Sequence, residues 1–229
     1  MTRIAIVTAV AAERDAVARG VGVSERLQAG PFETVSGVVR GEANLVVLAA
    51  GVGPAAAAAA AMAVALDGVD ILISAGVAGG FAGRAAIGEI VVATAAVAAD
   101  LGAQSEQGFL DLLDLGYGAA RFAVDGAASA HTAERLSAHG IAARRGPIVT
   151  VSTATGTDER AGELAARYDA AAEAMEGAGV AHVATLLGIP FVEIRAISNM
   201  VGRRDPLGWD LPAAITALER AMHTLFARA

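Results

Sequence analysis

The sequence predicts an α/β protein: a single-domain, three-layer α/β/α sandwich around a central mixed sheet, taking in residues 1–229. Three observations lead there. Apolar runs of strand length alternate with helical stretches from one end of the chain to the other, the pattern of a sheet covered by helices. Runs such as Arg3 to Ala9 and Asp70 to Ala75 are apolar at almost every position, as strands buried on both faces are. No low-complexity linker or internal repeat divides the chain, and the alanine tract at 55–61 is part of a helix rather than a repeat.

Arg3 to Ala9 is the first strand, and residues 11–17 open a helix with acids in its first turn, where the macrodipole favours them. Phe32 to Arg40 and Asn44 to Ala50 are strands joined by a turn at Gly41. Pro54 to Leu66 is a helix with proline in its first turn, a position that needs no backbone donor. Asp70 to Ala75 is a strand running into the cluster Gly76 to Gly80, which reads as a strand-to-helix turn or a ligand contact. Ile87 to Ala99 is a longer β segment, and Asp100 to Tyr117, rich in Gly, Asp and Gln, an irregular loop. A helix over 127–139, a strand from Pro147 to Val151 and a helix over 158–167 follow. Residues 178–188 form a buried helix ended by glycine. Ile189 to Ile197 is a strand, and Trp209 to Ala227 a final amphipathic helix.

Composition removes whole classes of function. Hydrophobic residues make up 55% and aromatics 4%, so the core is built from Ala, Val, Leu and Ile. A net charge of -7 disfavours nucleic acid or an anionic membrane as partner. All basic side chains other than histidine are arginine, which excludes Schiff-base, P-loop and Ser-Lys lysine chemistry. The absence of cysteine excludes disulfides and thiolate nucleophiles and fits a cytoplasmic protein. The opening apolar run is too short for a signal peptide. The uncharged span from Ala43 to Leu66 is interrupted by Gly51-Val52-Gly53-Pro54; it reads as strand, turn and helix rather than a membrane span. His131, His139 and His223 read as surface residues and His182 as a helix-packing residue, none at metal-ligand spacing. No metal or cofactor is expected. The glycine clusters do not fit the dinucleotide fingerprint, and no Gly-x-Ser-x-Gly elbow is present.

The remaining chemistry lies in carboxylates. Glu13 sits just past the first strand, Glu176 at a helix start and Asn199 just past a late strand. With parallel strands, all three meet at one edge of the sheet, where open α/β folds bind ligands. Each has a plainer reading, Glu13 and Glu176 as first-turn or capping acids. Two carboxylates beside an amide suit glycosidic cleavage. One activates water, and another grips sugar hydroxyls and stabilises an oxocarbenium-like transition state.

Five segments, in order, resemble the nucleoside phosphorylase and nucleosidase superfamily, in particular the branch containing methylthioadenosine/S-adenosylhomocysteine nucleosidase. They are Ala9-Val10-Ala11-Ala12-Glu13, Gly51-Val52-Gly53-Pro54-Ala55, Ser74 to Gly80, Ala174-Met175-Glu176-Gly177 and Arg195-Ala196-Ile197-Ser198. The resemblance covers nearly the whole chain. It implies a phosphorylase/hydrolase-like fold in which Glu13 activates water, Met175 and Glu176 hold the ribose, and Val77 and Gly79 line sugar and base. Asn199 stands where adenine-specific nucleosidases have aspartate. An amide cannot protonate purine N7; it suits a 6-oxopurine, donating to N7 or the 6-oxygen and accepting from a ring N–H. Val77 replaces a frequent serine, and Ala154-Thr155 stands where an aromatic-aliphatic pair covers the purine.

Within the superfamily, the segments at 8–13, 99–103, 151–157 and 197–205 resemble the futalosine hydrolase branch. That implies release of hypoxanthine from futalosine in the alternative menaquinone pathway, with Arg203 or Arg204 a candidate for the substrate's benzoate. The glycine turns 51–54 and 76–80 contain no arginine for phosphate, which favours hydrolysis. The resemblance also implies a homo-oligomer, a dimer or higher, whose neighbouring copy closes each site. The alternatives are an adenine-specific nucleosidase, a 6-oxopurine nucleoside phosphorylase, a non-catalytic nucleoside-binding module and, more remotely, a dinucleotide-dependent oxidoreductase.

Overall fold

In the computed structural model, which describes residues 1–39 and 41–226, the first apolar run forms β1 (Thr2–Thr8). Its side chains alternate between two covered faces: Ala5 and Val7 enter one hydrophobic cluster and Ile6 another. β1 is central. It pairs in parallel with β4 (Ala43–Ala49) on one side and β5 (Ile71–Gly80) on the other. Beyond β4 the sheet continues antiparallel through β3 (Phe32–Val39) to the edge strand β2 (Glu25–Ala29).

The other half holds β6 (Ile90–Ala98), β10 (Ala143–Thr150), β11 (Ala172–Ala174) and β12 (Phe191–Met200), with β9 (Arg121–Ala123) added to β6. β12 runs parallel to β5 and antiparallel to β6, so the sheet is mixed, as expected. Its order is β11-β10-β6-β12-β5-β1-β4-β3-β2, and β11 also pairs with β5. That second pairing curls half of the sheet into a closed ring over the end of β5. It rests on one short segment of three residues, a length at which apolar pattern carries no strand signal.

Helices cover both faces. α1 (Ala11–Val21), α3 (Gly126–Ala138) and α6 (Leu211–Phe226) bury Val17, Leu136, Leu218 and Met222 with Ile6 and Val92. α2 (Pro54–Ala65) and α5 (Gly177–Leu187) bury Ala57, Ala60, Ala61, Val180 and Ala181 on the opposite face. α4 (Asp158–Tyr168) adds Leu164 against Phe81 and Val149. Pro54 opens α2, and Gly188, at φ 67°, closes α5 in the left-handed region. Among the described residues no helix is long and apolar enough to cross a membrane.

Several elements differ from expectation. The stretch 100–117 contains a hairpin of β7 (Gly102–Ser105) and β8 (Gly108–Asp111); its polar, glycine-rich composition masks a two-stranded ribbon that forms its own small sheet. The cluster Gly76 to Gly80 is the second half of β5 rather than a turn. Glycine serves there because neighbours press close: a Cβ on Gly76 would lie 2.6 Å from Glu13 Oε1 and 2.8 Å from Arg195 Nη1. β2, β9 and β11 were not expected, and Asn199 lies within β12 rather than beyond it. His182 is exposed, its ring edge-on to Phe122 at 5.4 Å, rather than packed between helices. The expected ends at Arg40 and Ala227 lie outside the described residues.

The helix start at Gly177 is the tightest of these approaches that involves a charge. A Cβ there would overlap both carboxylate oxygens of Glu193. Gly177→Ala is therefore expected to destabilise the fold by about 1–3 kcal/mol, the range for overpacking, read as a lower urea midpoint at unchanged m-value.

Candidate active site

The carboxyl ends of β1, β5 and β12 and the short β11 enclose a cavity of about 250 Å³. All eight residues expected at the site line it: Glu13, Val77, Gly79, Ala154, Thr155, Met175, Glu176 and Asn199. Glu13, just past β1, and Asn199, in β12, are delivered by strands that run in the same direction, as anticipated. Glu176 does not. It follows β11, which runs antiparallel to β5 and meets it at Gly79 and Gly80.

Glu13 is the third residue of α1, and its side chain turns back over the end of β1. Oε2 accepts from the backbone N–H of Ala9 at 2.9 Å and of Val10 at 3.2 Å, and Oε1 accepts from Val77 N–H at 2.8 Å. Its carboxylate is thus held by three backbone donors while the residue is 3% exposed. Burial pushes its pKa up; the Val77 N–H and the Arg195 charge oppose that rise. Val77 thus orients Glu13 through its N–H while it also lines the cavity.

Glu176 stands at the N-cap of α5, yet its side chain caps no N–H of that helix. Oε1 instead accepts from Gly53 N–H at 3.2 Å across the turn before α2, and Oε2 from Arg195 Nη1 at 3.2 Å. Arg195, fully buried, also donates from Nε to Glu193 Oε1 at 3.0 Å and from Nη2 to Ser74 Oγ at 2.9 Å. Desolvation drives the Glu193 pKa up against the Arg195 charge. Its Oε2 has no hydrogen-bond partner among the described residues.

Asn199 is placed by an irregularity. The β12–β5 register slips between Ile197 and Asn199, leaving Ser198 as an extra residue, and such a bulge re-aims the side chain after it. Ser198 Oγ donates to Asn199 Oδ1 at 2.8 Å, and Asn199 Nδ2 donates to the Met200 carbonyl at 3.1 Å. One Nδ2 hydrogen remains for a ligand. Ala154 and Thr155 lie on the loop between β10 and α4. Thr155 donates from its backbone N–H to Glu173 Oε1 at 2.9 Å and from its hydroxyl to Glu173 Oε2.

Arg203 and Arg204 line the cavity's exposed rim with Trp209, whose ring carries the Arg204 guanidinium 4.9 Å above it. Neither arginine is ion-paired with a described carboxylate. Sequence reasoning missed Glu193 and Trp209 as parts of this region, and it gave Glu173 and Ser74, which open two of the stretches it singled out, no role of their own. A signal for one pair exists: Glu193 and Arg195 are two apart in an otherwise apolar strand, and a period of two puts them on one face. Among the described residues no group of three or more His, Cys, Asp or Glu is arranged to hold a metal ion.

The sequence profile of the phosphorylase superfamily matches residues 3–228, and the chain belongs to that family. More particularly, the chain is 47% identical to futalosine hydrolase of Acidothermus cellulolyticus over 96% of its own length and 88% of that protein. It is 44% identical to futalosine hydrolase of Streptomyces coelicolor, over 96% and 93% of the two chains. Among solved structures, futalosine hydrolase of Helicobacter pylori superposes with a TM-score of 0.87 at 22% identity over 98% of this chain and 97% of that one. A mutant of the Helicobacter pylori methylthioadenosine nucleosidase with 5'-methylthioadenosine in its active site superposes equally well, at 0.87 and 23% identity over 98% of both chains. At those identities the likeness is one of fold.

Removing the guanidinium while leaving its carboxylates is expected to be costly. Arg195→Met should destabilise the protein by about 3–5 kcal/mol, because it strands buried charge. Adding Glu193→Leu should recover part of the loss, a coupling measurable by a double-mutant cycle in urea.

Proposed function

We propose that this chain hydrolyses the N-glycosidic bond of futalosine, releasing hypoxanthine and leaving dehypoxanthine futalosine. The observation that carries this reading is the placing of Glu13, Glu176 and Asn199 around one cavity, in a chain 47% and 44% identical to two futalosine hydrolases. In this reading a water lies between Glu13 and the anomeric carbon. Glu13 accepts its proton as the oxygen bonds to C1', and the C1'–N9 bond breaks with its electron pair going to the base. Glu176 accepts from ribose hydroxyls, with Met175 packed on the sugar. Asn199 Nδ2 donates to N7 or the 6-oxygen of the departing base, whose negative charge it stabilises. Arg203 and Arg204 at the rim, neither ion-paired with a described carboxylate, suit the substrate's benzoate.

Phosphorolysis is the rival chemistry. The guanidinium nearest Gly76 belongs to Arg195, and Glu176 and Glu193 already bind it. Two further points come with the proposal: the enzyme works in the cytoplasm, in a menaquinone route, and it does so as a homo-oligomer of two or more copies.

Incubation with futalosine, inosine and methylthioadenosine, with released bases separated by chromatography, tests the substrate. Hypoxanthine from futalosine, at a rate independent of added phosphate, is expected; faster adenine release from methylthioadenosine would overturn the assignment. Glu13→Gln is expected to lower kcat by about 10²–10⁴, the usual contribution of a positioned base, with full turnover sinking the mechanism.

The same residue sets the pH dependence. Glu13 must be ionised to accept a proton, and burial raises its pKa. Activity should therefore be present above that raised pKa and fall on acidification at a higher pH than an exposed glutamate would give. A kcat/KM profile with its acid limb in the ordinary glutamate range would contradict this assignment.

A further inference from the structure

Glu193 is a buried titratable group that the reaction does not use directly. It is 0% exposed and does not line the cavity. It lies in β12, where every residue from Phe191 to Ser198 is buried, and is paired with Ser74 of β5. Oε1 accepts from Arg195 Nε at 3.0 Å, and Oε2 has no partner among the described residues. Gly177 leaves room for both oxygens; a Cβ there would overlap them. Burying a half-partnered carboxyl is unfavourable, and an apolar side chain in its place is often more stabilising. The use of Glu193 therefore lies in what Oε1 holds.

The group it holds is a rigid fork. A guanidinium is planar, with five N–H donors in fixed directions, so a bond at Nε sets where Nη1 and Nη2 point. Nη2 donates to Ser74 Oγ at 2.9 Å and Nη1 to Glu176 Oε2 at 3.2 Å. Two carboxylates compete for Nη1. A Cβ on Gly76 would lie 2.8 Å from Nη1 and 2.6 Å from Glu13 Oε1, so cation and carboxylate meet over one bare glycine. Yet the ion pairs of Arg195 are with Glu176 and Glu193, and Glu13 is held by backbone N–H groups instead. At Glu176, Oε2 accepts from Arg195 and from Met175 N–H at 3.3 Å, whereas Oε1 accepts from Gly53 N–H. A carboxylate has about four acceptor sites, two on each oxygen, so Oε1 keeps one for a ribose hydroxyl.

We propose that Glu193 is a positioning residue: by holding Arg195 at Nε it keeps the guanidinium on Glu176 and off Glu13. Glu176 is thereby set with Oε1 toward the ribose, and Glu13 stays clear of a direct ion pair that would weaken it as a base. The roles of Glu13 and Glu176 rest on the hydrolase reading; the placing of the guanidinium does not. The charged groups facing Glu13 are Arg195, from β12, and Glu176, at the start of α5. On α1 itself, Arg14 pairs with Asp15 and with Glu33 of β3. Glu193 is not among the groups that act on Glu13 directly, so its influence there passes through Arg195.

NMR titration of the Glu13 carboxyl carbon, in protein labelled at glutamate, tests this without turnover. Glu193→Leu releases Nε, the guanidinium turns to Glu13, and the Glu13 titration moves to lower pH. Glu193→Asp keeps the charge but withdraws the acceptor by one methylene, and should move the titration the same way; either variant suffices if the other does not fold. Glu193→Gln loses the charge but keeps an oxygen for Nε, and should leave the titration in place. With futalosine, the acid limb of kcat/KM should follow the same order. The Leu and Asp variants should also lose kcat, because a weaker base takes the water's proton less well. Their preference for futalosine over its 2'-deoxy analogue should fall about tenfold, the size of one charged hydrogen bond. A role confined to folding would lower the urea midpoint and leave the Glu13 titration alone. An unmoved titration in the Leu and Asp variants overturns the proposal, and so does a Gln variant that moves it as far as Leu. If the shifts appear but the wild type releases no base from futalosine, the hydrolase reading fails and the placing of Arg195 by Glu193 stands.

Discussion

One buried guanidinium organises this site. Arg195 is fully enclosed, binds Glu193 and Glu176 and lies within the field of Glu13. Burial raises the pKa of both Glu13 and Glu193, against the pull of the Arg195 charge. The raised pKa is of use at Glu13, because its ionised carboxylate is then a stronger proton acceptor. The cluster also explains the glycines nearby. Gly76 is bare because Glu13 and Arg195 meet over it, and Gly177 because Glu193 lies under the first turn of α5.

The same economy of volume runs through the fold. α2 and α5 approach so closely that a Cβ on Gly179 would overlap the carbonyl of Pro54. Their shared face is built from Ala57, Ala60, Ala61 and Ala181. That contact sets the start of α2 beside the start of α5, and across the gap Gly53 N–H reaches Glu176 Oε1. The alanine-rich composition is thus tied to the site: larger side chains would separate the two helix starts and remove one of the donors holding Glu176.

How legible this was in the sequence depended on the range of the interaction. β1, α2 and α5 were legible because burial patterns and terminal Pro54 and Gly188 are local signals. The residues around the cavity were legible through ordered motifs, and all eight line it. What was not legible depends on pairing between distant strands. β11 is too short to announce itself, yet it closes the ring and carries Glu173 to the level of Gly79. The Ser198 bulge likewise exists only relative to β5, and it decides where Asn199 points and which of its atoms stays free.

The balance of charge also bears on which nucleophile the site accepts. A phosphate dianion needs uncompensated positive charge near the anomeric carbon. Arg195 is the cation beside Gly76, and it is spent on Glu176 and Glu193 before any ligand enters. Arg203 and Arg204, which bind no described carboxylate through their side chains, lie at the exposed rim on the segment that follows β12, apart from the Glu13 carboxylate held over the end of β1. Bringing phosphate to Glu13 would set two anions against each other in a buried setting, whereas a neutral water gains an acceptor there. The residue that makes the pocket hostile to phosphate is the same one that activates water, so both preferences follow from one carboxylate and the three backbone donors that hold it.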